Sequence, residues 1–216
     1  MRIRILASTL LIGASLFAGA GSAAASTPST TVGGDESGYV ATGATYTSVS
    51  ATWTVPATTC AANRAMAIWT GLDGVDDSTV EQLGIEISCV SGGQVIQGWY
   101  EAYPAAPVYF NNTIGPGDTL TATISAPQNV YTFTLSDLTK GWTKTATKTL
   151  VAEKSSAEVL VECDGTCPTF HQVAFTKATI NGHPLANANP AVLDGTPGTT
   201  SAITNGENFT VTQLTT

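Results

Sequence analysis

VYTFTLSDL, residues 130–138, alternates without a break: Tyr131, Phe133 and Leu135 fall on one side of an extended chain, with Thr132, Thr134 and Ser136 on the other. Side chains of a strand point to opposite faces with period two, so this stretch reads as a strand with one apolar and one hydroxyl face. SVSATWTV (48–55) repeats the pattern with Val49, Ala51, Trp53 and Val55. TLTATISA, WTKTATKTLVAE and FTVTQL repeat it again. The turn signals GPGD, SGG, APQN and DGT separate these runs. Thr, Val and Tyr suit pleated surfaces, and no stretch shows a convincing amphipathic helix. Many strands at short spacing predict an all-β protein, an antiparallel β-sandwich of two large sheets rather than a small immunoglobulin-like module.

The chain has 216 residues and opens like an export signal. Arg2 and Arg4 precede an apolar run, Ile5–Phe17, and Ala23-Ala24-Ala25 fits the small-residue cleavage rule before Ser26. The run is shorter than the roughly 18 residues a membrane span needs, and no second run approaches that length. We therefore expect a signal peptide at 1–25, a polar flexible leader at 26–34 and one domain at 35–216. The expected location is extracellular, with no membrane association after cleavage. Removing the signal takes two of the eight basic residues and none of the 16 acidic ones. So negative a surface repels nucleic acid and anionic membrane. In an exported chain four cysteines are expected as disulfides. Cys163 and Cys167 enclose only DGT and would staple a turn, which leaves Cys60 with Cys89. A zinc site is disfavoured by the C-x3-C spacing and the lack of a nearby histidine pattern.

The chain shows no G-x-S-x-G elbow, no H-E-x-x-H and no phosphate-binding Gly-rich loop. Its two histidines, His171 and His183, read as structural or exposed-turn residues. Carboxylates are better candidates. SSAEVLVEC (155–163) puts Glu158, Leu160 and Glu162 on one face and Ala157, Val159 and Val161 on the other. VEQLGIEI places Gln82, Gly84 and Glu86 together, opposite Leu83, Ile85 and Ile87. QGWYEAYP groups Gln97, Trp99, Glu101 and Tyr103. AIWTGLDG groups Trp69, Gly71 and Asp73. Faces that mix Trp or Tyr with Asp, Glu or Gln suit a substrate cleft, and exposed tryptophans would need such a reason. The plain alternative is that each is the wet face of an antiparallel strand. Glycoside hydrolysis would need paired carboxylates. Glu158 and Glu162 lie roughly 13 Å apart at about 3.4 Å per residue, beyond the ~9.5 Å limit. A cross-strand pair such as Glu101 with Glu158 stays open, as does a non-catalytic carbohydrate- or protein-binding sandwich.

In their order along the chain, SVSATWTVP, WTGLDG, VEQLG, GWYEAYP and SSAEVLVEC resemble the motifs of the glutamic peptidases, the eqolisins, from about Ser37 to the end. The resemblance implies a concanavalin-like sandwich of two seven-stranded sheets. It implies an acid endopeptidase acting on polypeptides as a monomer, without cofactor, metal or covalent intermediate. Gln82 and Glu158 match the catalytic pair. Trp69, Asp73, Glu86, Trp99, Glu101 and Tyr103 match positions lining the family's cleft, and Glu162 matches a second strand glutamate without a catalytic role. The chain departs from the pattern at DESG, where Glu36 stands in place of a family tryptophan. Its leader is also too short for a long prosegment.

Overall fold

The computed structural model describes residues 30–214 save positions 62, 92 and 164. The expected signal peptide and residues 26–29 lie outside the described residues. In chain order the strands are β1 (Thr30–Val32), β2 (Glu36–Thr42), β3 (Ser48–Thr54), β4 (Ala65–Asp73), β5 (Val80–Val90), β6 (Gly93–Tyr103), β7 (Val108–Tyr109) and β8 (Thr119–Ser125). They continue with β9 (Val130–Asp137), β10 (Trp142–Thr149), β11 (Ser156–Glu162), β12 (Gln172–Ile180), β13 (His183–Pro184), β14 (Ala191–Asp194), β15 (Thr199–Thr200) and β16 (Phe209–Thr212). One 3-10 turn, Leu185–Ala188, interrupts them.

The strands form two eight-stranded sheets. The first runs β1-β14-β2-β11-β4-β5-β6-β7. The second runs β10-β9-β8-β3-β12-β16-β15, with β13 paired to β12. Each sheet thus has one strand more than the expected seven. The surplus lies in pieces of two or three residues (β1, β7, β13, β15), too short for alternation to reveal. β1 also places a strand inside the expected leader. Thr30–Val32 pairs in parallel with Val192–Asp194, while the other paired strands are antiparallel.

The core lies between the sheets. The first sheet contributes Met66, Ile68, Leu83, Ile85, Val159 and Val161; the second contributes Val49, Trp53, Ile124, Phe133 and Phe175, all buried. Each such side chain adds about 1.5–3 kcal/mol by leaving water. Phe209 stacks on Phe175 at 4.7 Å between ring centroids and meets the edge of Tyr39 at 4.8 Å. The outer face of the second sheet accounts for the hydroxyl-rich composition: Ser50 pairs with Thr123 and Thr52 with Thr121, each at 2.8 Å. Cys60–Cys89 and Cys163–Cys167 are disulfides. Among the described residues no helix is long and apolar enough to cross a membrane.

Candidate active site

The first sheet turns its second face away from the core. The registers of β6, β5, β4, β11 and β2 line up, so the residues of that face fall into rows. One row reads Glu101–Gln82–Gly71–Glu158–Val40. The next reads Trp99–Gly84–Trp69–Leu160–Gly38, and a third Gln97–Glu86–Ala67–Glu162–Glu36. None of the three holds a basic residue.

The first row holds Gln82 and Glu158. Gln82 and Glu158 both pair with Gly71, two strand spacings or roughly 10 Å apart along the backbone. The residue between them has no side chain, so the two side chains can lean toward one another. A Cβ placed on Gly71 would lie 2.7 Å from Glu158 Oε2 and 2.5 Å from Trp69 Cζ3, so that carboxyl oxygen sits over the glycine. Glu158 is anchored through its other oxygen, which accepts a 2.5 Å hydrogen bond from Ser156 Oγ. Glu158 Oε2 and Gln82 Oε1 are buried and meet no hydrogen-bond partner among the described residues. Burial pushes the Glu158 carboxyl well above its ordinary range. The Ser156 bond opposes this, while the charges of Glu36, Asp73 and Asp77 add to it.

The second row is apolar. Trp69 and Trp99 are only 2% and 4% exposed. The expectation that they stand exposed is therefore corrected. With Val40, Ala67, Leu160 and Leu193 they form a small second apolar cluster beneath the site. Gly84 makes this possible, because a Cβ there would meet the Ile68 carbonyl oxygen at 2.1 Å and Trp69 Cβ at 2.7 Å. The Trp69 indole donates to Glu162 Oε2 at 3.1 Å, which gives Glu162 a structural task.

Five further carboxyls lie in or beside these rows. Glu86 accepts from Tyr109 Oη at 2.9 Å and from Ser88 Oγ. Burial raises Glu101 to about 7, and burial followed by the charge of Asp35 raises Glu36 to about 7. Tyr103 is exposed at the end of β6. Asp73 departs from its sequence reading. Strand parity groups it with Trp69 and Gly71, but its backbone is left-handed, with φ of 64°, where β4 ends. It is fully buried, and Ser155 N donates to its Oδ1 at 2.7 Å. Glu81, which sequence reading passed over, is equally buried, and neither of its carboxyl oxygens has a hydrogen-bond partner among the described residues. Its parity with Leu83, Ile85 and Ile87 was the available signal: an acid on a core face. Glu101 and Glu158 are separated by Gln82 and Gly71, three strand spacings or roughly 14 Å along the backbone.

The arrangement offers a carboxyl group with high proton affinity, a neutral amide and a gap between them. These can activate a water and hold an oxyanion. The peptidase A4 family model matches residues 35–214. A crystal structure of scytalido-glutamic peptidase with a transition-state analog inhibitor is similar, with TM-score 0.71 and 21% identity, covering 85% of this chain and 100% of that one. SCP-B, of the eqolisin family, in complex with the tripeptide Ala-Ile-His, is similar with TM-score 0.68 and 20% identity, at 85% and 100% coverage. Aspergilloglutamic peptidase from Aspergillus niger gives TM-score 0.53 and 26% identity, covering 69% of this chain and 99% of that one. No curated protein matches the chain.

Proposed function

Because the chain belongs to the peptidase A4 family, we propose that it is a secreted acid endopeptidase whose Glu158 and Gln82 hydrolyse a peptide bond lying over Gly71. The observation that carries this reading is the row itself. Two buried polar groups flank a residue without a side chain, and each keeps one oxygen free of other partners. Glu158, as carboxylate, takes a proton from a water held between it and Gln82. The water oxygen attacks the carbonyl carbon. The Gln82 amide N–H donates to the resulting oxyanion, and it does so at any pH because an amide does not titrate. Glu158 then passes its proton to the amine nitrogen as the C–N bond breaks, and is again a carboxylate.

Its raised proton affinity suits both halves of this cycle. The ionised form, a minority on the acid side, is a strong base, and the prevalent acid form is ready to protonate the leaving group. The acid range follows from the surroundings. Below about pH 7 Glu36 and Glu101 are neutral. A site with no basic residue in its rows then loses most of its negative charge and admits neutral or acidic peptides. Above that pH the carboxyls ionise together and repel them. Export of the chain is supported by its amino-terminal sequence and its two disulfides.

Purified mature protein should cleave denatured casein between pH 2 and 6 and release no sugar from polysaccharides. EDTA and reagents for serine or cysteine nucleophiles should leave the rate unchanged. Inhibition by a nucleophile-directed reagent, or glycan cleavage without proteolysis, would overturn the assignment.

A further inference from the structure

Asp73, Asp77 and Glu81 form a group of carboxyls that the hydrolytic cycle does not use. Asp73 Oδ1 accepts from Ser155 N at 2.7 Å and from Ser155 Oγ at 3.4 Å. Asp77 Oδ2 accepts from the same hydroxyl at 2.7 Å, while its Oδ1 accepts from Gly74 N at 3.0 Å and Thr79 N at 3.2 Å. These bonds join the turn between β4 and β5 to the residue just before β11. Each end leads directly to the catalytic pair. Ser155 precedes Ser156, whose hydroxyl holds Glu158, and Glu81 precedes Gln82.

Glu81 and Asp73 lie on adjacent paired strands, Glu81 opposite Leu72 and Asp73 opposite Val80. Asp73 Oδ2 and both Glu81 oxygens are buried and have no hydrogen-bond partner among the described residues. Two carboxylates cannot satisfy one another, but a carboxylic acid and a carboxylate can, through one proton. Glu81 is the member that holds it: burial, and after it the charge of Asp73, raises Glu81 to about 9. The groups facing the pair oppose its ionisation. They are Asp77 from the turn and Glu158 from β11; the Tyr131 hydroxyl from β9, kept neutral by burial and by these carboxyls, also faces the pair. The nearby cation is Lys154, whose ammonium lies 5.6 Å from the centroid of the Tyr131 ring.

We propose that Asp73, Asp77 and Glu81 are positioning residues that clamp the start of β11 to the β4–β5 turn through Ser155 and one shared proton, and so fix Glu158 relative to Gln82. Asp73 then acts through the strands that carry the dyad. The proposal rests on the dyad reading above.

The test compares Glu81→Gln, which keeps a donor for Asp73, with Glu81→Leu, which keeps comparable bulk and no donor. Rates on acid-denatured haemoglobin at pH 4 would be measured over a range of substrate concentrations, beside wild type and Glu158→Gln. The clamp requires kcat to fall at least tenfold in Glu81→Leu with KM within twofold. It also requires Glu81→Gln to return to within threefold of wild type. Ser155→Ala, which removes the hydroxyl bond to Asp77, should lower kcat about threefold or more and leave KM alone. Wild-type kcat in a folded Glu81→Leu protein, or equal losses in the Gln and Leu variants, would overturn the clamp. Should Glu81→Leu not fold, full activity in Ser155→Ala or a tenfold loss in Glu81→Gln would overturn it. Activity retained by Glu158→Gln would instead sink the dyad, so the two failures are distinguishable.

Discussion

Gly71→Ala tests the geometry of the site with the smallest possible change. The backbone there needs no left-handed conformation, so the whole effect comes from the added methyl. That carbon would lie 2.5 Å from Trp69 Cζ3, 3.2 Å from Trp69 Cε3 and 2.7 Å from Glu158 Oε2. Carbon atoms settle at about 3.5–4.0 Å, so the indole edge must retreat by about 1 Å. The colliding atoms are side-chain tips, and the domain should fold at an overpacking cost of about 1–3 kcal/mol. For a domain of this size that is roughly 2–12 °C of melting temperature. The catalytic cost is larger in proportion, because a displacement of about 1 Å in an active site can lower the rate about 100-fold. Initial rates on acid-denatured haemoglobin and a circular-dichroism melt read both quantities. Gly84→Ala is the contrast. Its methyl would strike a backbone oxygen at 2.1 Å and should prevent folding. A folded Gly71→Ala enzyme within threefold of wild-type rate would refute the idea that the gap over Gly71 holds the reacting atoms.

Stability should fall with rising pH, the reverse of most acid-labile proteins. Glu36 and Glu101, near 7, and Glu81, near 9, bind protons in the folded chain that the unfolded chain releases above about pH 4.5. Their contribution is complete below that pH and is lost as pH rises through 7 to 9. Glu81 alone accounts for on the order of 6 kcal/mol as an upper figure. Melting curves should show a midpoint at least 10 °C lower at pH 9 than at pH 5, and a flat profile would contradict the burial of these acids. Replacing Cys60 and Cys89 by alanine opens a loop of sequence separation 29 and should cost about 3–4 kcal/mol in denaturant unfolding, with activity at pH 4 retained. Trp69→Phe removes the indole bond to Glu162 and should cost about 1–2 kcal/mol, with a changed near-ultraviolet spectrum. No stability loss there would mean that the bond adds nothing.

Alternation carried most of the fold. The division of β11 into Ala157, Val159 and Val161 against Glu158, Leu160 and Glu162 is the one observed, because parity within a strand is a local property. Register is not local. That Gln82 and Glu158 both pair with Gly71 depends on two strand pairings, and no pattern within VEQLG or SSAEVLVEC specifies them. Parity also misleads where the backbone leaves the pleat. Asp73 shares the parity of Trp69, yet its left-handed turn ends the strand and its carboxyl engages Ser155. Strand face alone does not tell whether a tryptophan is exposed. The close approach of β5 at Gly84 lets Trp69 sink into its own apolar cluster. Edge strands of two or three residues leave no periodic trace.

The central claim is that one carboxyl, Glu158, and one amide, Gln82, perform the hydrolysis. The most direct measurement is digestion of acid-denatured haemoglobin from pH 2 to 7 by the wild type, Glu158→Gln and Gln82→Ala, each shown to be folded by circular dichroism. Glu158→Gln keeps the size of the side chain and an acceptor for Ser156, but can take no proton from water. Wild-type cleavage confined to the acid side, with both variants at least 1,000-fold slower, is the expected result. A folded Glu158→Gln protein that cleaves at wild-type rate at any of these pH values would contradict it.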